Sequence, residues 1–128
     1  YGAQGIVAVA LGCARDRRPL RVFGDGRAVR DYIYVDDVIS AMLLAADARP
    51  EVFNISSGVG RSVNDVIAAV EKASGRRIER EIIPQRSGDV SINVLDSSRA
   101  RECLGWQPRV DFEEGIARTW RAVAEERP

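Results

Sequence analysis

Histidine is absent from the 128-residue sequence, and this absence removes several kinds of chemistry at once. A Ser-His or Cys-His nucleophile pair has no base, and a zinc site has only Cys13 and Cys103 to offer as sulfur ligands. No GxGxxG or GxxxxGK[ST] run occurs, so the sequence carries neither the dinucleotide fingerprint nor a P-loop. We therefore predict no metal site and no catalytic residue within this chain.

Net charge and long apolar runs are also lacking. Lys+Arg and Asp+Glu both number 19, so the chain is neutral overall and no nucleic-acid partner is expected. The longest apolar stretch, residues 6–11, is too short to cross a bilayer. Cys13 and Cys103 occupy apolar positions in separate helical segments and are predicted to be reduced core residues. These features predict a cytoplasmic protein without a membrane partner, in which any anion site is local.

Helical and strand patterns alternate along the chain with short connections. This alternation predicts an α/β fold, and a hydrophobic content of 45% is enough for the core of one domain. The patterns predict helices over 5–17, 38–46, 62–75 and 96–105 and from 111 onward, and strands over 20–23, 31–35, 52–55 and 78–83.

The strand predicted over 31–35 alternates tyrosines with aliphatic residues. We expect Ile33 and Val35 to face a core and the tyrosines to face the other way. Asp36 or Asp37 is expected to cap the next helix, which is apolar almost all round and is therefore predicted to be buried.

Two later helices show N-terminal capping patterns. Ser62 with Asp65, and Asp111 with Glu114, have the spacing of residues that satisfy the free backbone N–H groups of a first helical turn. Trp120 lies on the apolar stripe of the last helix, and we expect it to be a core residue.

Two arginines in loops beside glycine are the candidates for binding chemistry. Arg30 precedes a predicted strand, and Arg86 begins the run Arg-Ser-Gly-Asp after Pro84. A guanidinium offers a planar fork of donors that matches two phosphate oxygens, so two such arginines could clamp a diphosphate. The alternative is that each arginine pairs at the surface with its neighbouring aspartate, Asp31 or Asp89, where an ion pair contributes little.

Three stretches of sequence are familiar in combination. They read PLRVFGDGRAVRDYIYVDDV, EVFNISSGVGRSVNDVI and RSGDVSINVLDSSRARECLGWQPRVDFEEGIARTW, in this order from Pro19 to Trp120. Together they resemble the C-terminal portion of the NAD-dependent epimerase/dehydratase family, the extended short-chain dehydrogenases, and most closely its UDP-glucose 4-epimerases. In that family an N-terminal Rossmann half binds NAD and carries a Tyr-x-x-x-Lys pair, while the C-terminal part builds the nucleotide-sugar pocket. The resemblance implies that residues 1–128 are a small mixed α/β substrate-binding domain with the Rossmann half absent.

The resemblance also implies roles for five residues. Arg30 matches the family arginine that contacts the nucleotide diphosphate, and Arg86 matches the second such arginine. Asp89 matches the acid that bonds the ribose hydroxyls, and Phe23 stands where an apolar side chain packs near the nucleobase. Asn54 lies near the nucleotide in some dehydratase members, and a structural role for it stays open.

The function that the resemblance implies is the substrate-binding part of a nucleotide-sugar epimerase with a UDP-hexose as its ligand. NAD would be bound by the missing N-terminal half, so the 128-residue piece alone is expected to be inactive. A dTDP- or GDP-sugar dehydratase or reductase of the same family is one alternative, and a non-catalytic module that binds nucleotide sugars or a protein is another. Because the first residue is Tyr1, we expect a piece of a longer chain, whose bare apolar surface could drive self-association.

Overall fold

Five helices and five short strands make up the described part of the chain, in a computed structural model that describes residues 5–49, 51–85 and 88–125. In chain order they are α1 (Ile6–Asp16), β1 (Leu20–Phe23), β2 (Val29–Asp31), α2 (Val35–Ala45), β3 (Gly60–Ser62), α3 (Val63–Ser74), β4 (Arg80–Ile83), β5 (Ile92–Asn93), α4 (Ser98–Leu104) and α5 (Phe112–Glu125). The predicted α/β class is confirmed. Among these helices none is long and apolar enough to span a bilayer.

The strands form two small sheets. β1 and β4 are parallel and make a two-stranded sheet. In the other sheet β2 is central, antiparallel to β3 on one side and parallel to β5 on the other. A central strand has its backbone hydrogen bonds satisfied on both edges, so β2 offers a firm support for the side chains that it carries.

The main core lies where α1, α3 and α5 pack together with β1. Leu11, Leu20, Val66 and Ile67 are almost completely buried there, and Trp120 packs against the same cluster. Burial of a large aliphatic side chain stabilises the fold by about 1.5–3 kcal/mol, so this cluster is the main source of stability in the described chain. The prediction that Trp120 is a core residue is confirmed.

Helix α3 begins with the capping box that its sequence predicts. The Ser62 hydroxyl oxygen accepts a hydrogen bond from the Asp65 backbone N–H at 3.1 Å, and the Asp65 carboxylate accepts one from the Ser62 N–H at 2.8 Å. At the other end Gly75 takes a left-handed conformation with φ of 64°, which a residue with a side chain adopts less readily. Both predicted ends of this helix are confirmed.

A second cluster joins α2 to α4. Trp106 is buried against Ala41 and Ala100, and its Nε1–H donates to the Asp37 backbone oxygen at 3.0 Å. The Asp37 carboxylate, which is 3% exposed, accepts hydrogen bonds from two successive backbone N–H groups, those of Arg109 and Val110. Asp37 therefore holds the loop before α5 instead of capping α2, whose N-cap position belongs to Tyr34.

The prediction of a strand over residues 31–35 is wrong. The strand β2 ends at Asp31, and α2 already begins at Val35, which is 57% exposed. Tyr32 packs into the main core, whereas Ile33 packs into the second cluster. The alternation in the sequence is real, but here it divides side chains between two apolar clusters and not between a core and solvent.

The strand predicted over 52–55 is not formed either. Phe53 and Ile55 pack into the second cluster, but no described strand pairs with this segment. The segment is held by side chains, since the amide of Asn54 donates to the Asp96 backbone oxygen and the Ser56 hydroxyl donates to that of Leu95. An apolar alternating run predicts an extended conformation, but it does not say whether a neighbouring strand exists.

Helix α2 is not buried all round, and this corrects a further prediction. Ala41 and Asp37 face the second cluster, but Ile39, Met42 and Leu43 are 49%, 66% and 70% exposed. Both faces of the helix are apolar, and the described chain covers only one of them.

The two cysteines are both free, but their surroundings differ. Cys13 is buried in the main core, where burial raises the pKa of its thiol. Cys103 is exposed on α4, so the prediction that it is a core residue is wrong. The short helix α4 places Ala100 inward, and Cys103 lies on another side of it.

Candidate functional site

Arg30 lies in the middle of the central strand β2. Its backbone partner on β3 is Arg61, and its partner on β5 is Asn93. Residues directly opposite each other in neighbouring strands project from the same face of a sheet. The sheet therefore presents two guanidinium groups and an amide in one row, and the Arg30 side chain is partly buried within it.

No carboxylate among the described residues neutralises Arg30. Its Nη1 donates to the Val29 backbone oxygen at 2.8 Å, and it forms no ion pair with any residue that the structure describes. The Asp31 carboxylate points elsewhere, because adjacent strand residues face opposite sides of a sheet. It accepts hydrogen bonds from the backbone N–H groups of Ser57 and Gly58 at 2.8 and 3.0 Å. The alternative that Arg30 pairs with Asp31 is therefore wrong.

Arg27, in the turn before β2, shows what an ordinary surface arginine looks like. Its Nε lies 3.3 Å from a carboxylate oxygen of Asp25, and both side chains are largely exposed. Such a pair contributes little to stability. Arg30 differs from it in being partly buried and in lacking a counter-ion within the described chain.

Phe23 is the last residue of β1 and is 38% exposed. Its backbone partner is Ile83, the last residue of β4, and the pairing continues through a hydrogen bond of 2.8 Å from the Gly24 N–H to the Ile83 oxygen. Beyond the two strand ends, the segments after β1 and β4 stay close, since a Cβ atom on Gly24 would lie 3.4 Å from the Gln85 Cβ. The stretch that leads towards position 86 therefore starts beside Phe23.

The same stretch ends beside Arg30. The Val29 N–H donates to the Ser91 oxygen at 2.8 Å, and Asn93 of β5 then pairs with Arg30 itself. Asp89 is exposed and lies in this loop, two residues before Ser91. Arg86 lies outside the described residues. The fold thus fixes both ends of the loop, one beside Phe23 and the other beside Arg30.

Asn54 is not joined to this arrangement by any described contact. Its amide donates to the Asp96 backbone oxygen at 3.1 Å and so holds the chain before α4. This contact agrees with the structural role that the sequence left open for it.

The charge of Arg30 also acts on Tyr32, which lies two residues further along the chain. Burial raises the pKa of the Tyr32 hydroxyl, and the Arg30 guanidinium offsets part of that rise. Tyr32 is therefore a neutral hydroxyl at physiological pH, and it can donate one hydrogen bond.

Sequence reasoning missed Arg61 and Asn93, the two residues opposite Arg30. Neither stands in a motif that would single it out, because only the pairing register brings them next to β2. Only a correct prediction that β3 and β5 flank β2 could have identified these two residues.

Two short sheets, three packed helices and an arginine on a central strand without a carboxylate partner define a small mixed α/β unit among the described residues. A family model described as GDP-mannose 4,6 dehydratase matches residues 3–119. The chain therefore belongs to the NAD-dependent epimerase/dehydratase family, as the resemblance implied.

Individual relatives within the family carry epimerase names. The chain is 40% identical over 121 residues to the UDP-glucose 4-epimerase of Mycolicibacterium smegmatis, and the match covers 93% of this chain and 39% of that protein. A solved structure of the Thermotoga maritima UDP-glucose 4-epimerase with UDP-glucose matches with a TM-score of 0.91 and 41% identity, over 96% of this chain and 40% of that one. The Thermus thermophilus enzyme, solved with NAD, matches with a TM-score of 0.91 and 32% identity, over 99% and 42%. The chain thus spans about 40% of the length of these relatives.

Proposed function

We propose that this chain is the substrate-binding part of a nucleotide-sugar epimerase that acts on a UDP-hexose. In this proposal Arg30 and Arg86 bind the diphosphate, Asp89 bonds the ribose hydroxyls, and Phe23 packs against the nucleobase. The observation that carries it is the partly buried Arg30 guanidinium, which no described carboxylate neutralises. A partly buried guanidinium without a carboxylate partner is available to an anion, and a diphosphate offers it charge-assisted bidentate bonds.

The geometry around Arg30 supports the other proposed ligand contacts. Phe23 and Arg30 lie at the two anchored ends of one loop, and that loop carries Asp89 and Arg86. The resemblance assigns Arg86, on this loop, as the second arginine, and we propose that it joins Arg30 at the diphosphate. Asn54 is not included in the proposed contacts, because its amide is bonded to Asp96.

We propose that NAD is bound outside this chain. The sequence has no GxGxxG run, and the described residues hold no parallel strand pair that continues through a glycine turn into a helix in the manner of a dinucleotide site. When bound in the full-length enzymes of this kind, NAD takes up and returns a hydride. We therefore propose that a separate half binds it, and that the 128-residue chain alone does not epimerise UDP-sugars.

The role that we propose for this chain is to position the sugar of the substrate. Binding energy gained at the diphosphate, away from the reacting carbon of the sugar, can hold the sugar in the orientation that the reaction needs. An arginine on a central strand suits this task, because a partly buried side chain loses less further freedom when the ligand binds.

The apolar face of α2 supports the proposal that a further surface packs here. A helix that is apolar on both sides is expected to be covered on both sides, and Met42 and Leu43 have no cover in the described chain. We propose that the NAD-binding half of a longer protein covers this face, and that the isolated chain associates with itself through it.

A second candidate is a dehydratase or reductase acting on a GDP- or dTDP-sugar. The observation in its favour is the family model itself, whose description names GDP-mannose 4,6 dehydratase. The diphosphate site would be the same in both candidates, so the nucleobase is the part of the ligand that separates them.

Thermal unfolding of the chain with UDP, dTDP, GDP and uridine, each at the same concentration, tests both candidates. A ligand at a hundred times its dissociation constant stabilises the folded state by about 2.7 kcal/mol. We expect UDP to raise the melting temperature most and uridine to have little effect, because uridine lacks the diphosphate. The largest rise with GDP or dTDP would favour the second candidate, and no rise with any diphosphate would contradict both.

A further inference from the structure

Arg61 on β3 is a second positive charge beside Arg30, and it has no part in the proposed ligand contacts. The two residues are directly opposite each other in the antiparallel pair of β2 and β3. Residues in such positions project from the same face of a sheet, with Cβ atoms about 4.5–5.5 Å apart. Like charges in this arrangement repel each other, so the pair destabilises the sheet unless another group offsets the repulsion.

The Arg61 guanidinium is held by an aromatic ring and is partly shielded from water. Its central carbon lies 5.5 Å from the centroid of the Phe112 ring, and the Tyr32 ring packs against the same phenylalanine at 5.7 Å. The Arg61 Nε is buried and has no hydrogen-bond partner among the described residues. A charge that is fixed in position and shielded from water acts on its neighbours more strongly than an exposed one.

Two carboxylates belong to the surroundings of Arg61, but neither forms an ion pair with it in the described chain. Asp65 is bonded to Ser62 in the capping box; these hydrogen bonds are the main cause that lowers its pKa, and the Arg61 charge adds a smaller effect. Asp111 and Arg61 line one cavity, and one Asp111 carboxylate oxygen accepts from the Glu114 backbone N–H. These carboxylates therefore offset the Arg61 charge only in part.

The described fold gives no structural reason for two arginines in opposite positions. An uncharged side chain of similar length could pack on Phe112 without repelling Arg30. Positions where a sequence breaks a local rule of stability without an evident compensating gain are expected at functional sites. An anion bound at Arg30 would offset the repulsion and would be attracted by both charges.

We propose that Arg61 supplies a second positive charge to the diphosphate site at Arg30, and that it raises the affinity of this site through its electric field, without contacting the ligand. The inference rests on the proposed function, because it requires a diphosphate at Arg30. Direct contact is not required of Arg61, whose guanidinium lies over the Phe112 ring.

Isothermal titration calorimetry of UDP with Arg61→Gln, at low and at physiological concentrations of sodium chloride, tests this proposal. Loss of a charge close to a diphosphate should raise the dissociation constant about fivefold at low ionic strength. Salt screens a charge that acts at a distance, so the difference from the wild type should shrink as the ionic strength rises. A loss of affinity caused by a distorted site would persist in salt. Arg61→Lys keeps the charge and should bind UDP as the wild type does.

Arg76→Gln is the matched control. Arg76 is also partly buried, and it also lies over an aromatic ring, with 5.6 Å from its guanidinium carbon to the centroid of Trp120. It follows α3, whereas Arg61 precedes this helix, and 12 helical residues separate the two by about 18 Å along the helix axis. We expect Arg76→Gln to leave the UDP dissociation constant unchanged at both salt concentrations.

Arg61→Met is a second uncharged variant, and its side chain can still pack on Phe112. It replaces Arg61→Gln in the experiment if circular dichroism shows that the glutamine variant is unfolded. Binding of UDP by the uncharged variant as tightly as by the wild type, or a loss of affinity that salt does not reduce, would overturn this inference and leave the proposed function intact. A wild-type chain that does not bind UDP would contradict the proposed function and this inference together.

Discussion

At the scale of single residues, the neighbours Arg30 and Asp31 show how one strand serves two purposes. Arg30 faces the proposed ligand, while Asp31 on the opposite face holds the loop at Ser57 and Gly58 and the backbone N–H of Leu95. The sequence places the two charges side by side and so suggests a surface ion pair. The alternation of a strand separates them, and only the observed sheet shows which neighbour each one meets.

Replacing Asp31 by asparagine tests whether this carboxylate stabilises the loop at Ser57 and Gly58. The asparagine NH₂ group would face backbone N–H donors in place of an acceptor, so at least one hydrogen bond is lost. We expect the free energy of unfolding to fall by about 1–3 kcal/mol, measured by urea denaturation. Asp36→Asn is the control, because Asp36 is exposed and its cationic neighbour Arg118 is 3.8 Å away. Equal stability of the two variants would contradict the assigned role of Asp31.

At the scale of helices and strands, the best predictions came from local chemistry. The capping box of α3 and the glycine that ends it depend on neighbouring residues alone, and both are present as predicted. The strand β1 is also found over the predicted residues, Leu20–Phe23. By contrast, a strand over 31–35 or 52–55 depends on partners that are distant in the sequence, and the described chain does not form either predicted strand.

The capping box predicts a pH dependence of stability. Hydrogen bonds from the Ser62 hydroxyl and backbone N–H lower the pKa of Asp65. A carboxyl whose pKa is lower in the folded state stabilises the fold above its unfolded pKa, and this contribution is lost as the pH falls through the folded pKa. Asp65→Ala should therefore cost about 1 kcal/mol at neutral pH and progressively less in acid.

Urea denaturation of the wild type and of Asp65→Ala, from neutral pH down to acid pH, measures how their difference in unfolding free energy changes. Glu113→Ala, an exposed acid in the first turn of α5, is a suitable control for the general loss of one negative charge near a helix start. A stability difference between wild type and Asp65→Ala that stays constant down to acid pH would contradict the explanation.

At the scale of the whole molecule, α2 is the element whose environment the sequence described least well. Its composition predicts burial on all sides, and the described chain buries only the side that carries Ala41. The prediction rested on the composition of the helix alone, which does not say what covers each of its faces. Relatives of more than twice this length offer a physical reason for the mismatch, because the helix has a second apolar face that needs a partner.

The exposed face of α2 predicts self-association of the isolated chain. Met42→Lys with Leu43→Lys should abolish it without unfolding the protein, because both side chains are mostly exposed. Sedimentation velocity over a wide concentration range measures the association. Ile82→Lys, on an exposed apolar residue of β4, is the control and should leave it unchanged. A wild-type chain that stays monomeric at every concentration would contradict the prediction.

The site itself could be predicted in part. The resemblance pointed to Arg30, Arg86, Asp89 and Phe23, and the fold brings Phe23 and Arg30 to the two ends of the loop that carries the others. Arg61 and Asn93 could not be found in this way, because their relevance comes from strand register. Register depends on pairing between segments far apart in the chain, and single-sequence patterns do not determine it.

The central claim is that the Arg30 guanidinium binds the diphosphate of a nucleotide sugar. A ³¹P NMR titration of UDP with the chain tests it most directly, because it observes the phosphate groups themselves. We expect both phosphorus resonances to shift on binding and Arg30→Ala to raise the dissociation constant more than tenfold. Arg27→Ala removes a surface arginine that is already paired with Asp25 and should leave the dissociation constant unchanged. An Arg30→Ala variant that binds UDP as tightly as the wild type would contradict the account.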